Sequence, residues 1–350
     1  MGITSGAVSM FFSFLQGLLS GAVGPVPYIN YLYLIVALVI YFVIVSIVFS
    51  IFSYVFGWIE RKVMARAQSR HGPTYVGKYG FLQNLADLIK LLAKENIVPD
   101  GADRPVFLTV IPALLAVFVL MLYFIPFTQN FVGLDTSVAL LIVFMLLSFT
   151  PMLVFLAGWT SNNKFGSIAA QRSVLMMLSY EIPLVLVVAA VALLAKGYSF
   201  MSVVNAQAAN GWFAFLMPIG LVVFFVALLG ELDRPPFDLR EADSELIAGW
   251  LTDVSAPYYG LVLFLDYVRI LVGVLLISVL FFGGWLGPSF LPGAVWLAIK
   301  VVALTVFIIF LRATTVRMRL DKLLRLGWQY LMPLSVVNLL ITFIIYFIVF

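Results

Sequence analysis

The chain has 350 residues, of which 64% are hydrophobic and 10% charged, and its mean hydropathy is +1.14. Those values exclude a soluble globular domain. The absence of cysteine excludes disulfides and thiolate-ligated iron–sulfur clusters, and a single histidine, His71, argues against a self-contained metal site.

A membrane span needs about 20 mostly apolar residues. Eight stretches qualify: 31–57, 105–126, 137–158, 168–195, 213–231, 259–282, 293–312 and 330–350. The expected fold is an all-α polytopic membrane helix bundle, one integral membrane domain over residues 1–350. A ninth candidate, 5–24, is rich in Gly and Ser. No basic region precedes it, which argues against a cleaved signal peptide.

With the N-terminus outside, alternation through eight spans places all but Lys196 and Lys300 of the 20 Lys and Arg residues on the inner face. That bias predicts the orientation in a prokaryotic cell membrane and accounts for the net charge of +4 without nucleic acid. The chemistry is then expected on the cytoplasmic side, in segments 58–104, 231–258 and 313–329.

The first inner segment opens with WIERKVMARAQSRHGPTYVGKYG. FLQNLADLIKLLAKE follows at 81–95, with Phe81, Leu82, Leu85, Leu88, Leu91 and Leu92 opposite Gln83, Asp87, Lys90 and Lys94. That period predicts an amphipathic helix, too short to span, lying along the interface. Asp87 is expected to point inward to protein.

Two ionisable residues fall inside predicted spans. Glu181, in SYEIPL, lies near mid-membrane, where a carboxylate costs on the order of 3 kcal/mol or more unless it faces the bundle interior. Pro183 frees a backbone carbonyl one turn before it. Lys300 lies close enough to the outer end of its span to snorkel.

Residues 230–250, GELDRPPFDLREADSELIAGW, gather Glu231, Asp233, Asp238, Glu241, Asp243 and Glu245 against Arg234 and Arg240. Pro235 and Pro236 prevent a simple helical continuation. An acidic, proline-stiffened segment between spans is a candidate lining for a proton or ion route. Asp253, Asp266 and Arg269 extend the charged series, and a chain of carboxylates from the inner face to Glu181 is expected.

Four blocks then carry a resemblance: ERKVMARAQSRHGPTYVGKYGFLQNLADLIKLLAKE, GWTSNNKFGSIAAQRSVLMMLSYEIPL, ELDRPPFDLREADSEL and RATTVRMRLDKLLRLGWQYLMPLSVVNLL. In this order they resemble the NADH dehydrogenase subunit 1 family of respiratory complex I, from about residue 30 to the end. The resemblance implies a membrane subunit of a proton-translocating NADH-quinone oxidoreductase, at the junction with the peripheral redox arm. It would form the membrane side of the quinone chamber and the start of the coupling path, and bind no cofactor itself. Quinone is the substrate of the complex, with flavin and iron–sulfur clusters on partner subunits.

Carried over by motif, Arg61, Arg234, Phe237 and Asp238 would line the chamber. Asp87, Glu181, Glu231, Glu241, Asp243, Glu245, Asp253 and Asp266 would form the acidic path. Asp243, Asp253 and Asp266 stand where the family usually has Glu, Asn84 where it has proline, and Asp233 adds a carboxylate. The same motifs are shared by F420H2 dehydrogenases and membrane-bound hydrogenases. A stand-alone cation/proton transporter would also use intramembrane acids, but the sequence shows no inverted repeat.

Overall fold

A computed structural model describes residues 27–129, 131–241, 243–288 and 290–349, without the side chains at 27–38, 243, 244 and 349. The 5–24 candidate lies outside the described residues. Long helices are α1 (Pro27–Ala67), α2 (Gln83–Leu92), α3 (Arg104–Phe124), α4 (Ala139–Thr160), α5 (Lys164–Ala195), α6 (Phe200–Asn210), α7 (Pro218–Glu231), α8 (Ala256–Phe281), α9 (Gly293–Thr314), α10 (Leu320–Arg325) and α11 (Met332–Val349). Among the described residues, seven helical stretches are long and apolar enough to cross a membrane: those of α1, α3, α4, α5, α8 and α9, and the composite of α10 and α11.

The predicted span 213–231 differs from expectation. A short helix, Phe213–Leu216, is separated from α7 by Met217 in a non-helical conformation, with Pro218 opening the next turn. Proline disfavours helical geometry at the residue before it, so the chain breaks there. The 14 residues of α7 rise only about 21 Å at 1.5 Å each.

The first helix runs on past the apolar run, through ERKVMARA. Arg, Lys, Met and Ala are strong helix formers, and the turn comes only at Ser69, whose φ is 56°. The basic motif thus stands on a rigid rod. The amphipathic helix is present as α2, with Leu85, Leu88, Ile89 and Leu92 exposed and Asp87 turned to Arg61 of α1.

Two helices organise the bundle. α8 packs against α1, α2, α3 and α9, and from Val268 to Phe281 every residue is buried, the pattern of a core helix. Its C-terminal end is closed by Lys300 of α9, whose ammonium donates to the carbonyls of Phe282 (2.6 Å), Gly284 (2.8 Å) and Leu286 (2.7 Å). An ammonium has three donors, so the lysine is fully engaged as a helix cap.

α5 packs against α4, α7 and α11. Pro183 lies inside it, so the carbonyl of Ser179 loses its i+4 donor. Beside that carbonyl, Leu326–Leu331 winds as a π-helix between α10 and α11. A side chain at Gly327 would come within 2.4 Å of the Ser179 oxygen, so only glycine lets the two helices meet there.

Candidate functional site

A cavity of about 670 Å³ opens between the basic end of α1, the 231–248 segment, α8 and α9. Its charged lining comes from four separate stretches of chain. α1 and the turn after it supply Glu60, Arg61 and Arg70, the acidic segment Asp233, Arg234, Asp238 and Glu241, α8 Asp266, and α9 Arg312.

The acidic segment is not a solvated loop: Asp233, Arg234 and Arg240 are buried. It is pinned by its own backbone, with Phe237 N donating to Arg234 O at 2.9 Å, and by Met318 N donating to Pro236 O at 3.0 Å. The Pro235–Pro236 peptide is cis.

Two carboxylates are each clamped between two arginines. Glu60, 4% exposed, accepts from Arg234 Nη1 at 3.1 Å and from Arg312 Nη1. Asp233 Oδ2 accepts from Arg240 Nη1 at 2.6 Å and Arg269 Nη1 at 2.8 Å. Both of the latter arginines are fully buried. Burial alone would lower the affinity of Arg234 and Arg240 for their protons, but the carboxylates outweigh it and raise both above the usual arginine range.

Glu241 stands differently. Its neighbours are mainly acids: Asp266, Asp238 and Asp233 act on it, opposed by Arg269. Burial first, and this repulsion second, push its carboxyl up to about 8, so it titrates near neutral pH. At the interface, Asp87 accepts from Arg61 at 2.6 Å and from Gln83 at 2.8 Å. Partial burial raises its carboxyl, but those two hydrogen bonds outweigh it and hold it below the usual range.

Behind the cavity lies Glu231, the last residue of α7 and buried. It lies beside Tyr180 of α5 and feels the charges of Arg240, Asp233, Arg269 and Glu181. Arg240 Nη2 also donates to Tyr180 Oη. Half-buried Glu181 is the chain neighbour of Tyr180 and acts electrostatically on Glu231. Glu231 Oε1, Asp233 Oδ1 and Arg269 Nη2 carry no hydrogen bond among the described residues, leaving capacity for proton carriers.

Of the residues singled out from sequence, Arg61, Asp87, Glu181, Glu231, Arg234, Asp238, Glu241 and Asp266 are gathered in or beside this network. Four others are not placed there. Glu245 is exposed and paired with Arg172 of α5 at 2.6 Å, and Asp253 is absent from the cavity lining. Phe237 is buried and lines a small space with Tyr180, Leu323 and Gly327. The short helix Asp243–Leu246 packs against α5, which carries Glu245 towards Arg172. The side chain of Asp243 lies outside the described residues.

Sequence reasoning missed Glu60, Tyr180, Tyr267 and Arg312. Glu60 sat in the ERK motif beside Arg61, and an acid closing an apolar helix was the available signal. Tyr267, which lies beside Glu60, and Arg312 gave none.

A family profile described as NADH dehydrogenase matches residues 37–343. The H subunit of the NADH-quinone oxidoreductase of Dehalococcoides mccartyi (strain CBDB1) is 39% identical over 307 residues, 87% of this chain and 86% of that protein. The protein of the same name from Bacillus thuringiensis (strain Al Hakam) is 41% identical over 290 residues, 82% of this chain and 87% of its own.

Proposed function

The chain belongs to the NADH dehydrogenase family of NADH-quinone oxidoreductase membrane subunits, and from that premise we propose that it forms the membrane side of a quinone chamber and the start of a proton-coupling carboxylate path. The enzyme would be a proton-translocating NADH-quinone oxidoreductase of complex I type. The observation that carries this reading is the cavity of about 670 Å³. Its wall carries Arg61, Asp266, Glu241 and Asp233, and Asp233 and Glu181 both act electrostatically on buried Glu231 behind it.

The short Phe213–Leu216 helix and α7 together make the eighth crossing. The N-terminus lies outside, and the single domain places 58–104, including α2, and the acidic 231–258 segment on the cytoplasmic side. This chain carries no electron carrier; partner subunits supply flavin and iron–sulfur clusters and reduce the quinone. Peripheral quinone-site subunits would cover the cavity. The names of the relatives favour NADH over F420H2 or hydrogen as the donor.

In this reading the residues divide the work. Arg61, held by Asp87 and Gln83, presents a cation at the chamber mouth to the polar quinone head. Reduction of a quinone to a quinol takes two electrons and two protons, so the local proton balance changes at each turnover. Glu241, poised near neutral pH, takes up or yields a proton in response. The change of charge reaches Glu231 through the Asp233 clamp and Glu181 through Tyr180. Glu60, gripped by Arg234 and Arg312, and Asp233, gripped by Arg240 and Arg269, hold the frame.

The deciding experiment is Glu181→Gln in the reconstituted complex, with assembly measured independently. It keeps volume and removes the proton. The expected result is normal assembly with coupled turnover reduced roughly 10²-fold, as for loss of a general acid–base group, and partial activity in Glu181→Asp. Full coupled turnover in an assembled Gln variant would reduce Glu181 to a packing residue.

A further inference from the structure

The opposite side of α1 carries a second site. At about 100° per residue, Glu60, Arg61 and Met64 face the large cavity, while Trp58, Ile59, Lys62, Val63 and Arg66 centre about half a turn away. With Tyr79, those five residues line a separate pocket of about 290 Å³. None of the lining residues is acidic.

Its wall is built rather than incidental. Trp58 Nε1 donates to Tyr79 O at 3.1 Å, and the Trp58 ring meets Phe81 edge-on. Tyr79 is held at φ 59°, a left-handed conformation that a bulky residue adopts at a cost. Gly80 packs so tightly on Pro73 that a side chain would come within 2.1 Å of its carbonyl. Lys62 spends one donor on Pro73 O at 2.6 Å, leaving two of the three on its ammonium. Arg66 is exposed, and its guanidinium makes no hydrogen bond or ion pair among the described residues.

The same helix face continues down the membrane as Ile44, Val48 and Ile51, at helical spacing and all exposed. Two cations, interfacial aromatics and an apolar stripe beneath them match the parts of one molecule. Basic pockets at membrane level select anionic headgroups, and Trp and Tyr favour the headgroup depth. The pocket is headgroup-sized, at the small end of ligand cavities.

We propose that this face of α1 binds an anionic phospholipid, its phosphodiester between Lys62 and Arg66, its glycerol against Trp58 and Tyr79, and an acyl chain along Ile51, Val48 and Ile44. The lipid then braces the reverse side of the helix that holds Glu60 and Arg61.

The test uses the intact assembled enzyme in vesicles of equal parts phosphatidylcholine and phosphatidylglycerol, with a trace of photoactivatable phosphatidylglycerol. Crosslinks to the 44–66 segment are read by mass spectrometry. Labelling is expected there, competed by unlabelled phosphatidylglycerol but neither by phosphatidylcholine nor by inorganic phosphate. Each cation near a membrane surface contributes about fivefold in anionic-lipid affinity, so Lys62→Gln with Arg66→Gln should lower labelling about 25-fold. Lys62→Arg with Arg66→Lys should keep it, and both pairs should assemble. Equal labelling in the assembled Gln pair, or no labelling of α1 in the wild-type enzyme, would overturn the proposal. Displacement by inorganic phosphate would also overturn it, in favour of a free-anion site.

Discussion

Glu60 and Asp233 share one cavity with Glu241 and Asp266, yet the two pairs of acids are in different situations. Each of the first pair accepts from two arginines. The second pair makes no ion pair within hydrogen-bond reach among the described residues, and Glu241 has more acids than cations acting on it. The lesson is that burial alone does not make a proton carrier. Two cations in contact oppose the effect of burial on a carboxylate, whereas acids around one add to it, so Glu241 can change its charge near neutral pH.

The most severe way to break this contrast is to open a clamp. Asp233→Leu leaves Arg240 and Arg269 buried without their carboxylate, and an orphaned buried charge costs about 3–5 kcal/mol. Assembly should fall sharply, with a lower melting temperature for whatever assembles. An unchanged melting temperature would show that Asp233 is no clamp.

Next comes the poised acid. Because its carboxyl is raised to about 8, wild-type Glu241 is protonated below that pH and loses its proton as pH rises through it. Its stabilising contribution has the same sign, full below the unfolded value of 4.5 and lost through about 8. Coupled turnover should therefore show a limb near pH 8 that Glu241→Gln removes, at normal assembly. The groups facing Glu241 are Asp266, Asp238, Asp233 and Arg269, with Arg234 also in range. If the limb survives in the Gln variant, another group in that set carries the titration.

A milder effect is expected at the chamber mouth. The Arg61–Asp87 pair is well exposed, so breaking it costs at most about 1 kcal/mol of stability. Arg61→Ala should raise the KM for quinone while the peripheral arm still reduces artificial acceptors. Parallel loss of both activities together with assembly would make Arg61 structural.

The smallest effect should come from Glu245→Gln. Its bond to Arg172 is partly exposed, worth at most about 1 kcal/mol, and it stands away from the cavity. Turnover and its pH profile should match wild type. A large loss of coupling would bring Glu245 back into the acidic path and weaken the division between clamped and poised acids.

Hydropathy and motif were enough to foresee much of this molecule. The seven membrane-length helices and α2 follow from runs and periods within about 20 residues, because a backbone in lipid must satisfy its own hydrogen bonds locally. The ERK, SYEIPL and acidic blocks likewise marked Arg61, Glu181 and Glu231 in the linear chain. The break at Met217 was less legible, since composition there stays apolar and only Pro218 signals it.

The sorting of the acids belonged to tertiary structure. Arg312 reaches Glu60 across 252 positions and Arg234 across 174, while Arg269 reaches Asp233 from the core helix α8. Such pairings depend on where side chains point after helices pack, and spacing along the chain does not encode that direction. The same cause sent Glu245 to Arg172 and Phe237 into an apolar niche, although Phe237 adjoins Asp238 on the cavity wall. Sequence thus settled that acids are concentrated at one face of a membrane bundle. Packing decided which of them meet two arginines and which meet one another, because only the folded arrangement sets the distances over which charges in a low-dielectric interior act.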